Sequence, residues 1–360
     1  MNIPTEPIGS LPRSKKLQEA MEGFAQGQVT AETLDEFFDE AVSETIEKFE
    51  STGSAIITDG EQTKPSFATY PLAGLTNLAP DGVVIPFEDG HERQLPRLTG
   101  GPFKYGEFAG SYLPRAKRFA EKPLKQAVIS ASAMSLLYPA DELDEYTRES
   151  FIADLVDQAV EDIKSCFENG AETVQIDFTE GRLSLKLDPS KALLRQFVDL
   201  NNQVLSHFSS EEKSRIGVHT CPGGDQDSTH SADVDYTDLI PTLMELDVGK
   251  FYFQMASEAH PDRALTQIAE NLKPGQRAFI GVINVIDEVV ETAETVRERV
   301  LNAAKFIPVE QLGTTDDCGF SPFSDDIATS REIAFAKIKA RVDGTRLAED
   351  VLDFGRTANA

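Results

Sequence analysis

The chain has 360 residues, of which 40% are hydrophobic and 26% charged, which is enough apolar sequence for one barrel-sized domain. Its 61 acidic residues outnumber 34 basic ones, and the formal net charge of −27 argues against nucleic-acid binding because phosphates would be repelled. No run approaches the roughly 18 consecutive apolar residues of a membrane span, and the first residues lack a secretory signal pattern. We therefore expect a cytoplasmic protein that does not bind membranes.

Short β-rich runs alternate with helical patterns, such as "TAETLDEFFDEAVSETIEKFEST", over most of the chain. In chain order, the predicted strands are "TEPIGS", "SAIITDG", "KQAVISAS", "AETVQIDF", "SRIGVHT", "GKFYFQMA", "RAFIGVIN" and "EQLGTTDDC". They are short and apolar, as buried parallel strands are. Eight strands are the number that a closed barrel requires, so the sequence predicts an α/β fold, a (β/α)8 TIM barrel. An open doubly wound sheet is the alternative, but no GxGxxG turn follows an early strand.

One segment interrupts this alternation after the second predicted strand. Residues 62–121 are rich in Pro, Gly and aromatic residues, and "GVVIPFEDGHERQLPRL" has the pattern of a β-hairpin. We interpret residues 1–360 as a single catalytic barrel domain, in which residues 62–121 are an insertion that folds over the active-site rim.

The three cysteines are Cys166, Cys221 and Cys318. An odd number of distant cysteines argues against a disulfide framework. Cys166 falls in a helical pattern and is interpreted as a small core residue. The other two lie in turn-like sequence, where packing explains a thiol less readily.

Function in a β/α barrel collects at the carboxyl ends of the strands. Unusual polar residues of this chain fall at those positions: Ser10, Asp59, Glu61, Asp177, His219, Cys221, Gln254, Glu258, Asn284, Asp317 and Cys318. We therefore expect these side chains to converge on one rim.

His219 and Cys221 stand two positions apart at a strand end, so their side chains lie on the same side. With Cys318 after the eighth strand, they offer one imidazole and two thiolates, the three ligands of a catalytic zinc site with an open fourth position. Two buried thiols and an ordinary histidine are the alternative, but the coincidence of all three at strand ends favours zinc. Zinc with two thiolates is suited to holding a substrate thiol as thiolate, which indicates thiol alkylation rather than hydrolysis.

Five short motifs carry a family resemblance. "EPIGSLPR", "TDGEQ", "VQID", "HTC" and "DCGF", in this order, resemble the catalytic barrel of the cobalamin-independent methionine synthase family, above all its short single-barrel members. The resemblance spans nearly the whole chain. It implies an enzyme similar to 5-methyltetrahydropteroyltriglutamate-homocysteine S-methyltransferase, which methylates the thiol of homocysteine to form methionine. A methyl-folate and a methylcobamide are both open as the methyl donor.

The resemblance implies that Zn²⁺ is bound by His219, Cys221 and Cys318. At the end of the sixth strand the family has a glutamate ligand, where this chain has Gln254, whose amide oxygen is neutral and a weaker ligand. Gln254 is the predicted fourth ligand, with Glu258 or a water molecule as alternatives.

The resemblance also implies sites for the two charged ends of the amino acid. Ile8 and Ser10 are expected to bind its carboxylate, and Glu61 and Asp177 its ammonium group. The two carboxylates are also candidate catalytic residues. Asn284 is a third candidate catalytic residue. It follows the seventh strand, where the long members of the family carry a histidine that acts as an acid.

Other functions stay open from the residues alone. They are alkyl transfer to another thiol such as coenzyme M, zinc-dependent hydrolysis or elimination on the same barrel, and non-enzymatic sensing of metals or thiols. The expected partners are a small thiol substrate and a methyl donor, and a homo-oligomer is also open. His230, a lone histidine in the loop after the fifth strand, is predicted to be solvated.

Overall fold

The computed structural model describes residues 2–357, without the side chains of 354–357. The strands are β1 (Leu78–Ala79), β2 (Val84–Pro86), β3 (Glu92–Gln94), β4 (Arg97–Leu98), β5 (Lys125–Ile129), β6 (Thr173–Asp177), β7 (Ile216–Thr220), β8 (Gly224–Asp225), β9 (Ser228–Thr229), β10 (Lys250–Phe253), β11 (Arg277–Ile283) and β12 (Leu312–Asp316). The helices are α1 (Lys15–Ala25), α2 (Ala31–Ser51), α3 (Leu113–Lys117), α4 (Ala131–Ser135), α5 (Arg148–Glu168), α6 (Glu180–Leu187), α7 (Ala192–Leu205), α8 (Ser210–Ser214), α9 (Tyr236–Leu243), α10 (Pro261–Asn271), α11 (Ala293–Ala303) and α12 (Arg331–Thr357).

Six of the strands form the central parallel sheet, in the order β12-β11-β10-β7-β6-β5. Extended segments flank both edges of this sheet. Thr5 forms a parallel bridge with Thr314 of β12, and Ile57 forms one with Leu124 beside β5. The six strands and the two segments together form the wall of one barrel, which agrees with the predicted (β/α)8 fold.

The sequence predicts full strands at the first two barrel positions, whereas each contributes a single bridge. Pro4 and Pro7 lie in the first segment, and proline has no N–H to donate to a strand ladder. The two segments are joined by the N–H of Leu11, which donates to the carbonyl of Gly60 at 3.0 Å. Fewer backbone hydrogen bonds therefore join these two segments to each other than join neighbouring strands of the sheet.

Helix α5 shows how the outer layer packs on the barrel. Thr147 caps its N-terminus through a side-chain oxygen that accepts from the N–H of Ser150. Its buried face repeats at the three- and four-residue spacing of an amphipathic helix, with Phe151, Leu155, Ala159, Ile163 and Cys166. Cys166 is fully buried, which agrees with its interpretation as a core residue.

Residues 62–121 contain β1 to β4 and α3. Strands β2 and β3 pair antiparallel as a hairpin, and β1 pairs antiparallel with β4. From this hairpin region, Ile85, Phe87 and Leu95 line a cavity that His219 also lines. The division of the chain into one domain with an insertion stays a prediction. Among the described residues, no helix has both the length and the apolar composition needed to cross a membrane.

Candidate metal and substrate site

The side chains of His219, Cys221 and Cys318 meet at the carboxyl end of the sheet. His219 lies in β7, Cys221 directly follows this strand, and Cys318 lies shortly after β12. One ligand atom from each lies within 4.8 Å of the other two, and the two sulfur atoms are 3.3 Å apart. The fold thus brings these three residues together, although β10 and β11 separate their strands in the sheet.

The cluster has unpaired buried atoms that a metal ion would satisfy. Both ring nitrogens of His219 lack a hydrogen-bond partner among the described residues, although this histidine is only 2% exposed. A buried polar atom without a partner costs about 1–3 kcal/mol, and coordination of a cation would remove part of this cost. One imidazole and two thiolates suit zinc better than hard cations such as magnesium or calcium. The residues present therefore fit a zinc ion.

The Cys221 thiol is placed to lose its proton. Its hydrogen bond with Cys318 lowers the pKa of Cys221 well below the ordinary value, and this effect outweighs burial, which raises the pKa. His219 lowers it further, as does the N–H of Gly223, which lies 3.4 Å from the sulfur. The thiolate is the form that binds metals, so the local electrostatics favour metal binding.

A cavity of about 280 Å³ lies beside the cluster, and both His219 and Cys318 line it. The predicted substrate residues also line it: Ile8, Ser10, Glu61 and Asp177. Much of the remaining wall is apolar and is formed by Phe67, Ile85, Phe87, Leu95, Met134, Leu136, Leu183 and Phe323. A largely apolar pocket with a few convergent polar groups is typical of a small-molecule site.

Asp177 is the last residue of β6 and pairs in register with His219 of β7. Burial raises the pKa of Asp177 to about 6, although the nearby His219 lowers it. The side-chain amide of Gln175 donates to its Oδ1 at 2.6 Å. The carboxyl is therefore mostly ionised at pH 7, and it presents a negative charge to the cavity.

Glu61 sits in a tight turn with a φ of 55°, in which its N–H donates to Oδ1 of Asp59 at 2.8 Å. Lys64 lies 2.9 Å from its Oε1, and the Lys64 side chain is fully buried. Removing one partner of a buried ion pair is costly, so Lys64 holds Glu61 in place. An ammonium group bound here would share the carboxylate with Lys64, a partner that the sequence motifs do not indicate.

The first and last motifs pack against each other. The hydroxyl of Ser10 accepts a hydrogen bond from the N–H of Ser321 at 3.4 Å, and its carbonyl accepts from the N–H of Phe320 at 3.0 Å. A Cβ atom on Gly319 would lie 2.1 Å from the Ser10 Oγ, so a larger residue would displace the Ser10 hydroxyl. The glycine of "DCGF" thus brings Cys318 beside the "IGS" segment.

The sequence profile of the cobalamin-independent synthase catalytic domain matches residues 3–334. The chain belongs to this family. Among curated relatives, "Methionine synthase" of Saccharolobus islandicus is 22% identical over 350 residues, which cover 97% of this chain and 96% of the relative. "Methionine synthase" of Saccharolobus solfataricus is 23% identical over 362 residues, with the same coverage of both chains. The family resemblance inferred from the motifs is confirmed.

Two solved structures of cobalamin-independent methionine synthases share the fold. The enzyme of Shewanella sp. W3-18-1, in complex with selenomethionine, superimposes with a TM-score of 0.78 at 19% identity and covers 98% of this chain and 99% of its own. A putative enzyme from Listeria monocytogenes gives a TM-score of 0.72 at 21% identity, with the same coverage. The predicted barrel of the cobalamin-independent synthase family is therefore confirmed.

Gln254, the predicted fourth ligand, lines a small second cavity together with Cys318. Its Oε1 accepts a hydrogen bond from Arg182 at 2.9 Å, and its Nε2 donates to Ser257 at 2.8 Å. Arg182 also donates to Glu258, the alternative ligand, at 2.9 Å. The two candidate ligands share one guanidinium group, and the metal-ligand role of Gln254 stays a prediction.

Asp317, next to Cys318, fixes the turn that follows β10. Its Oδ1 accepts from the N–H groups of Met255 and Ala256, each at 2.8 Å. Its Oδ2 accepts from the N–H and the hydroxyl of Ser257, at 2.8 and 2.7 Å. Asp317 therefore couples the loop that carries one cysteine ligand to the turn that carries the candidate fourth ligand.

Asn284 lines the small second cavity with Cys318, and it is not among the described residues that line the larger one. Its Oδ1 accepts from the N–H of Ile286 at 3.1 Å, and its own N–H donates to Glu291 at 2.8 Å. The side chain stabilises its own loop in this structure. Its catalytic role stays a prediction.

His230 is 6% exposed, so the prediction that it is solvated is wrong. Its ring packs edge-on against Phe87, with centroids 5.5 Å apart, and its Nδ1 lies 2.7 Å from the hydroxyl of Ser231. The hairpin covers this loop, a contact that sequence spacing does not reveal. Burial lowers the pKa of His230 to about 4, so the imidazole is neutral at pH 7.

Two cavity residues are missing from the sequence-based site. Arg93, in β3, joins the hairpin to two other loops, because it pairs with Asp225 at 2.5 Å and with Asp325 at 2.9 Å. Glu180 begins α6 and is 4% exposed. The sequence signal that could have identified Glu180 is its position three residues after Asp177, because loops after barrel strands carry functional residues.

Proposed function

We propose that this protein transfers a methyl group to the thiol of homocysteine, forming methionine, with zinc bound by His219, Cys221 and Cys318. The observation that carries the proposal is that these ligands and two buried carboxylates, Glu61 and Asp177, belong to one site. Membership of the cobalamin-independent synthase family and relatives named methionine synthase support it.

Different residues would bind different parts of the substrate. When bound, zinc would keep the substrate thiol as a thiolate near neutral pH, the nucleophilic form. Asp177 and Glu61 would hold the ammonium group, and Ser10 with the backbone at Ile8 would hold the carboxylate. Each end of a zwitterion would thus meet groups of complementary charge or hydrogen-bonding type, which orients the thiol toward the methyl donor.

The two carboxylates favour homocysteine over coenzyme M as the acceptor. Coenzyme M has a sulfonate and no ammonium group, so Asp177 and Glu61 would face an anion without gaining a cation. Repulsion between like charges in a buried site disfavours such binding. We therefore propose an amino-acid thiol as substrate, with a methyl-folate or a methylcobamide as donor. We also propose a cytoplasmic location, and a homo-oligomer that sedimentation of the purified protein would test.

The test combines activity with substrate recognition. Zinc-loaded protein is incubated with homocysteine and either a methyl-folate or a methylcobamide, and methionine is measured by mass spectrometry. Asp177→Asn should raise the KM for homocysteine at least about tenfold, as expected for a lost charge-assisted hydrogen bond. It should leave the KM for 4-mercaptobutyrate, which lacks the amino group, nearly unchanged.

Glu172→Gln is the matched control, because Glu172 is exposed outside the cavity, and both KM values should then stay at the wild-type level. Methylation of coenzyme M without methylation of homocysteine would contradict the proposed acceptor. Absence of methylated thiol with every donor would contradict methyl transfer itself.

A further inference from the structure

A buried carboxyl without an assigned role lies in the large cavity. Glu180 lines this cavity together with His219 and Asp177. Its Oε2 is buried and has no hydrogen-bond partner among the described residues. Because unpaired buried polar atoms are costly, a carboxyl on a cavity wall that keeps one such atom points to a ligand that completes it.

Two serines fix the other carboxyl oxygen. Ser130 donates to Oε1 of Glu180 at 2.6 Å, and Ser132 donates to the same oxygen. The Ser130 hydroxyl also accepts from the N–H of Ala133, and the Ser132 hydroxyl accepts from the side-chain amide of Asn201. Ser132 also lies within 3.4 Å of the Ser130 hydroxyl, but its contact with Oε1 is the shorter one, so we assign the hydrogens of both hydroxyls to Oε1. The proton of the neutral carboxyl then sits on Oε2, the oxygen without a partner among the described residues.

The surroundings keep this proton available near neutral pH. Burial raises the pKa of Glu180 to about 7, the two serines lower it, and the charge of Asp177 raises it. Ser130, which caps α4, and Ser132 in α4 are uncharged, as is Asn201 of α7, which donates to Ser132. On α6 itself, Arg182 is engaged by Gln254 and Glu258. The other titratable or charged residues that line the cavity are Glu61, Arg93, His219, His230 and Cys318.

We propose that Glu180 is a catalytic residue that protonates the nitrogen released when a methyl group leaves an N-methyl donor. The proposal rests on the proposed function. Other cavity groups are less suited to donate this proton, because His230 is neutral at pH 7 and Arg93 is held by two carboxylates. Asn284 and Ile286, which follow β11, have no titratable side chain.

The step is balanced without a further reactant. The thiolate sulfur forms a bond to the methyl carbon while the carbon–nitrogen bond breaks. The electron pair of that bond goes to nitrogen, which takes the proton from Oε2 of Glu180. The products are a methyl thioether, an N–H on the former donor and the Glu180 carboxylate, which solvent then reprotonates.

The test compares two methyl donors that differ in their need for a proton. 5-Methyltetrahydrofolate releases a nitrogen that must be protonated, whereas trimethylsulfonium releases a neutral sulfide. Glu180→Gln keeps an oxygen for both serines but has no acidic proton. It should lower kcat with the N-methyl donor about 100-fold or more, the usual contribution of a general acid. The rate with trimethylsulfonium should change little, and Glu172→Gln should change neither rate.

Two further measurements separate catalysis from structure. The wild-type rate with the N-methyl donor should fall as pH rises through about 7, as Glu180 ionises, and the rate with trimethylsulfonium should lack this decline. In infrared difference spectra of wild type against Glu180→Gln, without any donor, a protonated-carboxyl band should disappear over the same pH range.

Equal loss with both donors, loss with neither, or a Glu180 carboxylate that is ionised throughout would overturn the role of Glu180 while leaving homocysteine methylation intact. Absence of methionine from every donor would contradict the proposed function and the role of Glu180 together.

Discussion

Arg182 donates hydrogen bonds to Gln254 and to Glu258, each 2.9 Å long, while its guanidinium stacks over Tyr236 at 3.9 Å. The cation is thus shared between one neutral and one charged side chain. A glutamate at position 254 would give Arg182 a second carboxylate. One oxygen of that carboxylate would take the place of the Gln254 Oε1 at Arg182, and the other would be available to the metal.

We expect Gln254→Glu to bind zinc more tightly, because a carboxylate adds a negative charge to the coordination sphere. Competition with a chelator measures the change, and Gln203→Glu serves as the control, because it adds the same charge at an exposed position of α7 and should leave zinc affinity at the wild-type level. Unchanged affinity in Gln254→Glu would mean that Arg182 retains the carboxylate and that residue 254 is not a ligand.

The loop after Cys221 should be sensitive to the residue at position 223. Gly223 has a φ of +73°, and a Cβ there would lie 1.7 Å from Nε2 of His230. We expect Gly223→Ala to lower the free energy of unfolding by more than about 2 kcal/mol, since a clash adds to the backbone strain, and to weaken zinc binding.

Gly27→Ala is the matched control for this substitution. Gly27 has a similar φ of +70° but no atom within 4 Å of the added Cβ, so it should cost only the backbone strain of about 1 kcal/mol. Denaturant unfolding measures the free energy of unfolding of each variant, and chelator competition measures its zinc affinity. Equal effects of the two substitutions would contradict the clash with His230.

Stability should depend on pH through Glu180. Its pKa rises from 4.5 to about 7 on folding, so the folded state binds the proton more tightly, and stability falls as pH rises between these values. The fall amounts to about 3 kcal/mol for this one group. Glu180→Gln does not titrate here, so its stability relative to wild type should increase between about pH 5 and pH 8.

Urea unfolding at several pH values measures this difference, with Glu172→Gln as the variant whose difference from wild type should stay constant. Buried carboxyls that do not interact with Glu180 titrate in all three proteins, so their contributions cancel. Asp177 raises the pKa of Glu180, and its part of the pH dependence is therefore measured together with that of Glu180. A constant difference between Glu180→Gln and wild type would show that Glu180 has an ordinary pKa in the folded state.

The sequence predicts the metal cluster because parallel strands bring their carboxyl ends to one rim, and motifs such as "HTC" mark those ends. It does not predict α6, which begins with no side-chain cap and directly follows the β6 loop. The sequence also does not predict the contact of Arg93 with Asp225, because 132 positions separate the two residues and no local pattern links them. Contacts between distant loops, including the burial of His230, depend on the folded hairpin.

The zinc content of the protein should depend on both cysteines of the cluster. Wild type should hold about one zinc per chain, the number for a single three-ligand site. Cys221→Ala and Cys318→Ala should each lose the metal and keep the fold, because each substitution removes only one sulfur atom from the rim of a large core. Cys166→Ala, which removes the thiol buried in α5, should keep the zinc. Elemental analysis with circular dichroism checks these outcomes, and full zinc retention in either cluster variant would contradict the ligand assignment.

X-ray absorption at the zinc edge, with and without homocysteine, shows whether the metal binds the substrate thiol. We expect homocysteine to replace a nitrogen or oxygen neighbour of the metal with a sulfur, because the open position next to His219, Cys221 and Cys318 receives the thiol. A purified protein that binds no zinc, or a zinc whose sulfur count stays the same with homocysteine and every other thiol, would contradict thiol activation at this cluster.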